Sequence, residues 1–349
     1  MINITDYTIE ELEEYILSIG EKKFHAKQIF KWIHRMHVES FEEMTDISKS
    51  LREKLKENTY ILNLKVLDCQ ISKKDDTHKF LLKLSDDNAI ESVFMRYNHG
   101  NTLCVSTQVG CKMGCKFCAS TKNGWTRNLM ASEIEGQIIA VEKYMNEKIS
   151  NVVYMGIGEP LDNYDNVVKS VKLINCPEGL GIGARHISIS TSGLVDNIKR
   201  LADEQLQATL SISLHAVTDE KRKEIMPVAN KYSIKELLDA CTYYIMKTGR
   251  RISFEFALIA GVNDDENTAR ALAKLLRGLI AHVNLIPVNE IVNGKFKKSR
   301  PEDVDRFMNI LNSSGLVATV RRELGSDIDA ACGQLRQKYL DKDSNKNNE

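Results

Sequence analysis

At 349 residues the chain can bury a large core, and it carries as many Lys plus Arg (48) as Asp plus Glu (48), for a formal net charge of zero. Neutrality removes any global electrostatic case for a nucleic-acid partner, which must then rest on local patches. With 28% charged residues and no apolar run near the roughly 18 residues of a membrane span, a soluble protein is expected, and a start without signal-peptide character points to a reducing cytoplasm.

Residues 1–60 have helical periodicity. Thr8 and Glu11 have the spacing of a capping box, Ile9, Leu12, Ile16 and Leu17 keep one face, and Gly20 suits the stop. Further helices are predicted over about 26–37 and 47–57. The second carries Lys22, Lys23, His25, Lys27, Lys31, His34, Arg35 and His37 beside Phe24, Phe30 and Trp32. Such a face can track phosphates, or it can be an ordinary solvated face over a small core.

Over 61–101 the pattern shifts to short alternating runs, 64–71, 79–84 and 89–96, with another at 102–106; Asp75-Asp76, Asp86-Asp87-Asn88 and 98–101 supply turns between them. This predicts a small antiparallel sheet whose last strand delivers the chain to a cysteine-rich loop. Glu91 stands in an otherwise apolar strand, where a lone carboxylate either faces solvent or does chemistry.

The loop, Cys104-Val-Ser-Thr-Gln-Val-Gly-Cys111-Lys-Met-Gly-Cys115-Lys-Phe-Cys118, holds four of the eight cysteines. Thiolates at spacings of four and three, with Gly110 and Gly114 allowing tight turns, can wrap one soft metal centre. Two readings compete. A cubane cluster on Cys111, Cys115 and Cys118 leaves one iron open to a small molecule, whereas a structural zinc site needs a fourth ligand, for which Cys104 is the candidate.

Beyond the cysteines, strand candidates at 151–155, 186–190, 208–214, 251–258 and 282–287 alternate with helical stretches at about 131–146, 164–174, 194–203, 233–247, 266–279 and 301–314. With 102–106 this gives six parallel strands and 317–320 as an extra. The expected fold is α/β, a partial (β/α)6 barrel over 102–335 with a small N-terminal helical domain and a short antiparallel sheet extension, followed by a tail over 336–349. Ligands are expected at the C-terminal strand ends. Those ends carry Gly156-Ile-Gly158-Glu159-Pro160, Ser190-Thr-Ser-Gly193, Ser213-Leu214-His215 and Asn289. Cys332 sits in a small-residue segment that leaves it accessible, while Cys69, Cys176 and Cys241 suit structural thiols.

Together these segments, with Asp327-Ile-Asp-Ala-Ala-Cys332-Gly-Gln-Leu335, resemble the RlmN/Cfr family of radical S-adenosylmethionine (SAM) RNA adenine methyltransferases from about residue 10 to 340. The resemblance implies a radical SAM barrel, a [4Fe–4S] cluster on Cys111, Cys115 and Cys118, and SAM held by Gly158, Glu159, Ser190, Ser213, Leu214, His215 and Asn289. Many relatives have proline after the matching asparagine, where this chain has Glu290 and then Lys295, Lys297 and Lys298. The implied chemistry spends one SAM to methylate Cys332 and a second to generate the radical that activates that methyl group. Glu91 is then the base that takes the ring proton, and Cys104 attacks the Cys332 sulfur to release product as a transient disulfide. The implied partners are 23S rRNA, tRNA, and an electron donor such as flavodoxin or ferredoxin. No membrane partner and no dedicated oligomerisation segment are expected, hence a monomer. The Gly-Ile-Gly-Glu-Pro and Asn-Leu-Ile-Pro-Val-Asn segments resemble the carbon-2 branch; the carbon-8, antibiotic-resistance branch shares the cluster spacing and both special cysteines. A zinc-stapled, non-enzymatic RNA-binding protein is the alternative from another class.

Overall fold

The computed structural model describes residues 1–121, 124–288, 297–328 and 335. A short strand β1 (Ile2–Asn3) leads into helices α1 (Ile9–Ser18), α2 (Phe24–His34) and α3 (Lys49–Asn58), and β2 (Thr59–Tyr60) returns to pair parallel with β1. The predicted capping box forms: Glu11 N–H donates to Thr8 Oγ1 at 3.3 Å and Thr8 N–H to Glu11 Oε2 at 2.8 Å. Leu12, Ile16, Ile29, Phe30, Ile33, Leu51 and Leu55 make a core that also takes in Ala131 and Leu173 from two later helices.

The basic face expected on α2 is only partly a face. Phe30 and His34 are fully buried, their rings stacked 4.0 Å apart, and His34 Nδ1 meets Glu135 Oε2 at 2.8 Å. The His37 ring lies 3.7 Å from Glu142, yet burial, with Lys148 nearby, holds its pKa down to about 4. It is therefore neutral near pH 7. Lys22, Lys23, Lys27, Lys31 and Arg35 do remain exposed.

Four strands come next, β3 (Lys65–Ile71), β4 (His78–Lys83), β5 (Ala89–Tyr97) and β6 (Gly100–Cys104), paired antiparallel in sequence order. The chain then makes a two-stranded ribbon, β7 (Gln108–Gly110) with β8 (Trp125–Asn128), around the cysteine loop. The remainder alternates: α4 (Ala131–Met145), β9 (Asn151–Tyr154), α5 (Tyr164–Asn175), β10 (Ile187–Thr191), α6 (Val195–Asp203), β11 (Thr209–Ser213), α7 (Asp219–Ile225), α8 (Ile234–Thr248), β12 (Ile252–Leu258), α9 (Glu266–Leu275), β13 (Ala281–Pro287), α10 (Pro301–Ser313) and β14 (Ala318–Val320).

All the larger strands join one ten-stranded sheet in the order β14-β13-β12-β11-β10-β9-β6-β5-β4-β3. From β6 to β14 every pairing is parallel, so the six expected barrel strands are present and β14 adds to them. The antiparallel extension continues the barrel sheet through β6 rather than standing apart from it.

Strand alternation explains the site that results. Ile187 and Ile189, Leu210 and Ile212, Phe254 and Phe256, and Val283 and Leu285 are fully buried in the main core. Their alternates, Ser188 and Ser190, Ser211 and Ser213, Ser253 and Glu255, and Asn284, turn to the opposite, concave face. The barrel interior is consequently polar, which an inert packed core would not be. Among the described residues no helix is long and apolar enough to cross a membrane.

Candidate active site

The cysteine loop is held in place by backbone geometry. Gly110 has φ +79°, and a Cβ there would stand 2.1 Å from the carbonyl oxygen of Gly124, so only glycine lets the ribbon close. Cys111 N–H donates to Gly124 O at 2.9 Å, Cys118 N–H to Cys115 O at 3.1 Å, and Lys116 N–H to Ile225 O, at the end of α7, at 3.0 Å. Lys112 adds an ion pair to Asp162 at 2.9 Å. Cys111, Cys115 and Cys118 thereby line one cavity of about 310 Å³ at the C-terminal ends of the strands. Burial pushes the Cys111 and Cys115 thiols up to about 12, so a cationic centre is required to hold them as thiolates.

Gly158, Glu159, Ser190, Ser213 and His215 line the same cavity. Glu159 is 3% exposed; its Oε1 accepts from Leu161 N–H at 3.0 Å and its Oε2 from Ser192 N–H at 2.7 Å. Burial still outweighs these bonds and raises its pKa. A cation brought beside it would restore the charged form. Gly158, at φ +112°, has no room for a side chain, since a Cβ would lie 2.7 Å from that of Gln108.

His215 Nδ1 accepts from Ala257 N–H at 2.9 Å, which places the ring proton of the neutral form on Nε2. Burial, with Arg222 nearby, lowers its pKa to about 3. Its ring meets Phe117 of the cysteine loop edge-on, with centroids 4.9 Å apart. Leu214, by contrast, is fully buried in the apolar core and is not among the cavity-lining residues; its amide donates to Glu255 O at 3.1 Å. Asn289, Glu290 and Cys332 lie outside the described residues.

Glu91 and Cys104 are not in the cavity wall but on the sheet beside it. Cys104 pairs with Val93 on one side and Val153 on the other, so Glu91, Val93, Met95 and Cys104 share one face. Cys104 is 5% exposed and packs with Val93, Met95 and Met155. Met155 also lines the cavity, and so joins the two regions. Cys104 is thus not among the residues that line the cavity of the other three cysteines.

Residues 2–61 match the Ribosomal RNA large subunit methyltransferase N-terminal domain, and residues 105–272 match the Radical SAM superfamily. A protein of Clostridium perfringens named "Probable dual-specificity RNA methyltransferase RlmN" is 58% identical over 97% of this chain and 98% of its own length. A protein of the same name from Caldanaerobacter subterraneus subsp. tengcongensis is 55% identical over 97% of this chain and 99% of its own. The chain belongs to the RlmN family of radical SAM RNA methyltransferases. A crystal structure of a radical SAM methyltransferase from Sphaerobacter thermophilus superimposes with a TM-score of 0.90 at 42% identity, covering 96% of this chain and 99% of that one.

RlmN-family membership within the radical SAM superfamily implies a [4Fe–4S] cluster and SAM, and the donor set fits both. Three thiols from one loop share a cavity with a buried carboxylate suited to an ammonium group. Among the described residues no three potential ligands are already gathered for a single metal ion. A cluster bonds each thiolate to a different iron, so its ligands need not meet at one point.

The structure adds groups that the sequence did not single out. Arg222 of α7 is fully buried; its Nη2 donates to Ser192 O at 2.6 Å and Ser213 O at 3.1 Å, and its Nε to Leu214 O at 3.1 Å. It ties the ends of β10 and β11 together. Glu255 lines the cavity with its carboxylate bound by Asn284 Nδ2 at 2.8 Å, and burial raises its pKa. The Ser253-Phe254-Glu255-Phe256 alternation held that signal.

Proposed function

We propose that this chain methylates carbon 2 of an adenosine in the peptidyl-transferase centre of 23S rRNA, and of the adenosine 3′ to the anticodon in some tRNAs. A ring C–H at that carbon is not nucleophilic, so polar methyl transfer cannot reach it. The cofactors supply the methyl carbon and the one-electron chemistry that activates it. Glu159 is the partner for the SAM amino group, with Gly158, Ser190, Ser213 and His215 around the rest of that molecule. Asn289 is carried over from the resemblance.

The protein's own part is divided among three groups. Cys332 carries the methyl carbon to the adenine, Glu91 takes the ring proton, and Cys104 attacks the Cys332 sulfur. The bond from that sulfur to the transferred carbon breaks with its electron pair passing to the carbon, which takes a proton to become the methyl group, and a Cys104–Cys332 disulfide forms, which an external reductant reopens. The observation that carries this reading is the shared face of Glu91 and Cys104. Leu335, three residues beyond Cys332, packs on Leu81 and Ala89 of that same face. At the other flank Asp327 accepts from Ser72 Oγ at 2.5 Å and Lys73 N–H at 2.8 Å, so both flanks of the segment are held against the extension.

The test is to trap the intermediate. Cys104→Ala, reconstituted without oxygen and supplied with SAM, reductant and RNA, should accumulate a covalent protein–RNA adduct that migrates as one species on a denaturing gel. Cys332→Ala should form none. Free methylated RNA from Cys104→Ala at the wild-type rate would exclude this route.

A further inference from the structure

Glu91 does not stand alone on its strand. Lys79 Nζ lies 3.0 Å from Glu91 Oε2, and the two side chains are 0% and 3% exposed. Register explains the contact: Lys79 faces Val93 across the β4–β5 pair and Leu81 faces Glu91, so the lysine reaches the carboxylate diagonally, one rung along. Cys104 faces the same Val93 from β6. Lys79, Val93 and Cys104 thus form a row across three strands, with Glu91 beside it.

A lysine is almost never fully buried unless paired, and a buried pair is weak ground for stability because desolvation offsets the attraction. Two other ion pairs of the extension are left in solvent: Lys83–Asp87 has side-chain exposures of 41% and 84%, and Arg96–Asp76 of 38% and 55%. The pair beside Cys104 is, by contrast, taken out of water.

We propose that Lys79 is the positioning residue for Glu91, its ammonium fixing the carboxylate in place to receive the ring proton. This rests on the reading of Glu91 as the base. Lys83 of β4 is engaged by Asp87 at 2.7 Å and Asp327 of the C-terminal segment by Ser72 and Lys73, while Lys79 meets Glu91.

The experiment compares full-length, anaerobically reconstituted wild type with Lys79→Met, Lys79→Arg, Lys79→Gln and Glu91→Gln. SAM cleavage, Cys332 methylation, adduct and released methyladenosine are each followed. Lys79→Met should cleave SAM and methylate Cys332 normally yet release methyladenosine about 10- to 100-fold more slowly, with adduct accumulating. Lys79→Arg should restore most of the rate. Should Lys79→Met fail to fold, glutamine against arginine makes the same comparison.

A parallel fall in all four readouts, with no rescue by arginine, would make Lys79 merely structural and overturn the proposal. So would an unchanged rate in Lys79→Met. Failure of the underlying reading shows differently, as a Glu91→Gln enzyme that methylates RNA at the wild-type rate.

Discussion

Glu159 illustrates how much a single residue can be asked to do at the mouth of a barrel. Its carboxylate caps the turn after β9 through Leu161 N–H and reaches across to Ser192 N–H, yet burial raises its pKa. In the free protein, protons compete for this group with the SAM ammonium proposed to sit against it. As pH falls through the raised value the carboxylate is neutralised and SAM affinity should drop, while at higher pH it should level off. Calorimetry of the cluster-loaded protein should show proton release on binding in that window. Glu159→Gln should bind about 10- to 100-fold more weakly and lose the pH dependence. Glu159 was legible in the sequence because glycines and an acid directly follow a strand. Lys79 and Arg222 were not, because their partners are fixed by strand register and by carbonyls of distant residues, and neither leaves a local spacing.

At the scale of elements, the two strand ends proposed to contact SAM depend on one helix. Arg222 donates to carbonyls from the ends of both β10 and β11, which no shorter or single-pronged donor at that position can do. Arg222→Met leaves three buried carbonyl bonds unmade. It should weaken SAM binding by about 2 kcal/mol while far-UV circular dichroism stays near wild type, and Arg222→Lys should recover little. Unaltered SAM affinity in Arg222→Met would show that the strand ends hold themselves. The strands of the ten-stranded sheet and the longer helices were readable from alternation and periodicity; the short β1, β2, β7 and β8 and the seven-residue α7 were not, being too short to display a period. The α2 face was readable only in part. Ala26, Phe30 and His34 are spaced by four, and that spacing turns His34 inward with the apolar stripe.

At the scale of the molecule, the N-terminal helices are built onto the barrel. Asp6 Oδ1 accepts from Ser132 N–H at 2.8 Å in the first turn of α4, and Lys169 of α5 meets Glu11 at 2.8 Å. Between them His34 and Glu135 meet with both side chains fully buried. Glu135→Ala strands the imidazole and should cost about 2–4 kcal/mol in urea unfolding, whereas His34→Leu with Glu135→Leu should cost less than the two single changes summed. Strict additivity would mean the contact couples nothing. If the contact does couple the two units, exposed lysines of α2 ride on a rigid arm beside the barrel, a placement that suits RNA contact in a protein of zero net charge.

The most direct measurement is the nucleoside product. The protein, reconstituted without oxygen, is incubated with SAM, a reductant and protein-free 23S rRNA or tRNA, and the RNA is digested for mass spectrometry against 2-methyladenosine and 8-methyladenosine standards. The expected result is 2-methyladenosine, abolished by Cys332→Ala. Recovery of 8-methyladenosine, or of neither nucleoside from a preparation with a verified cluster and active SAM cleavage, would contradict it.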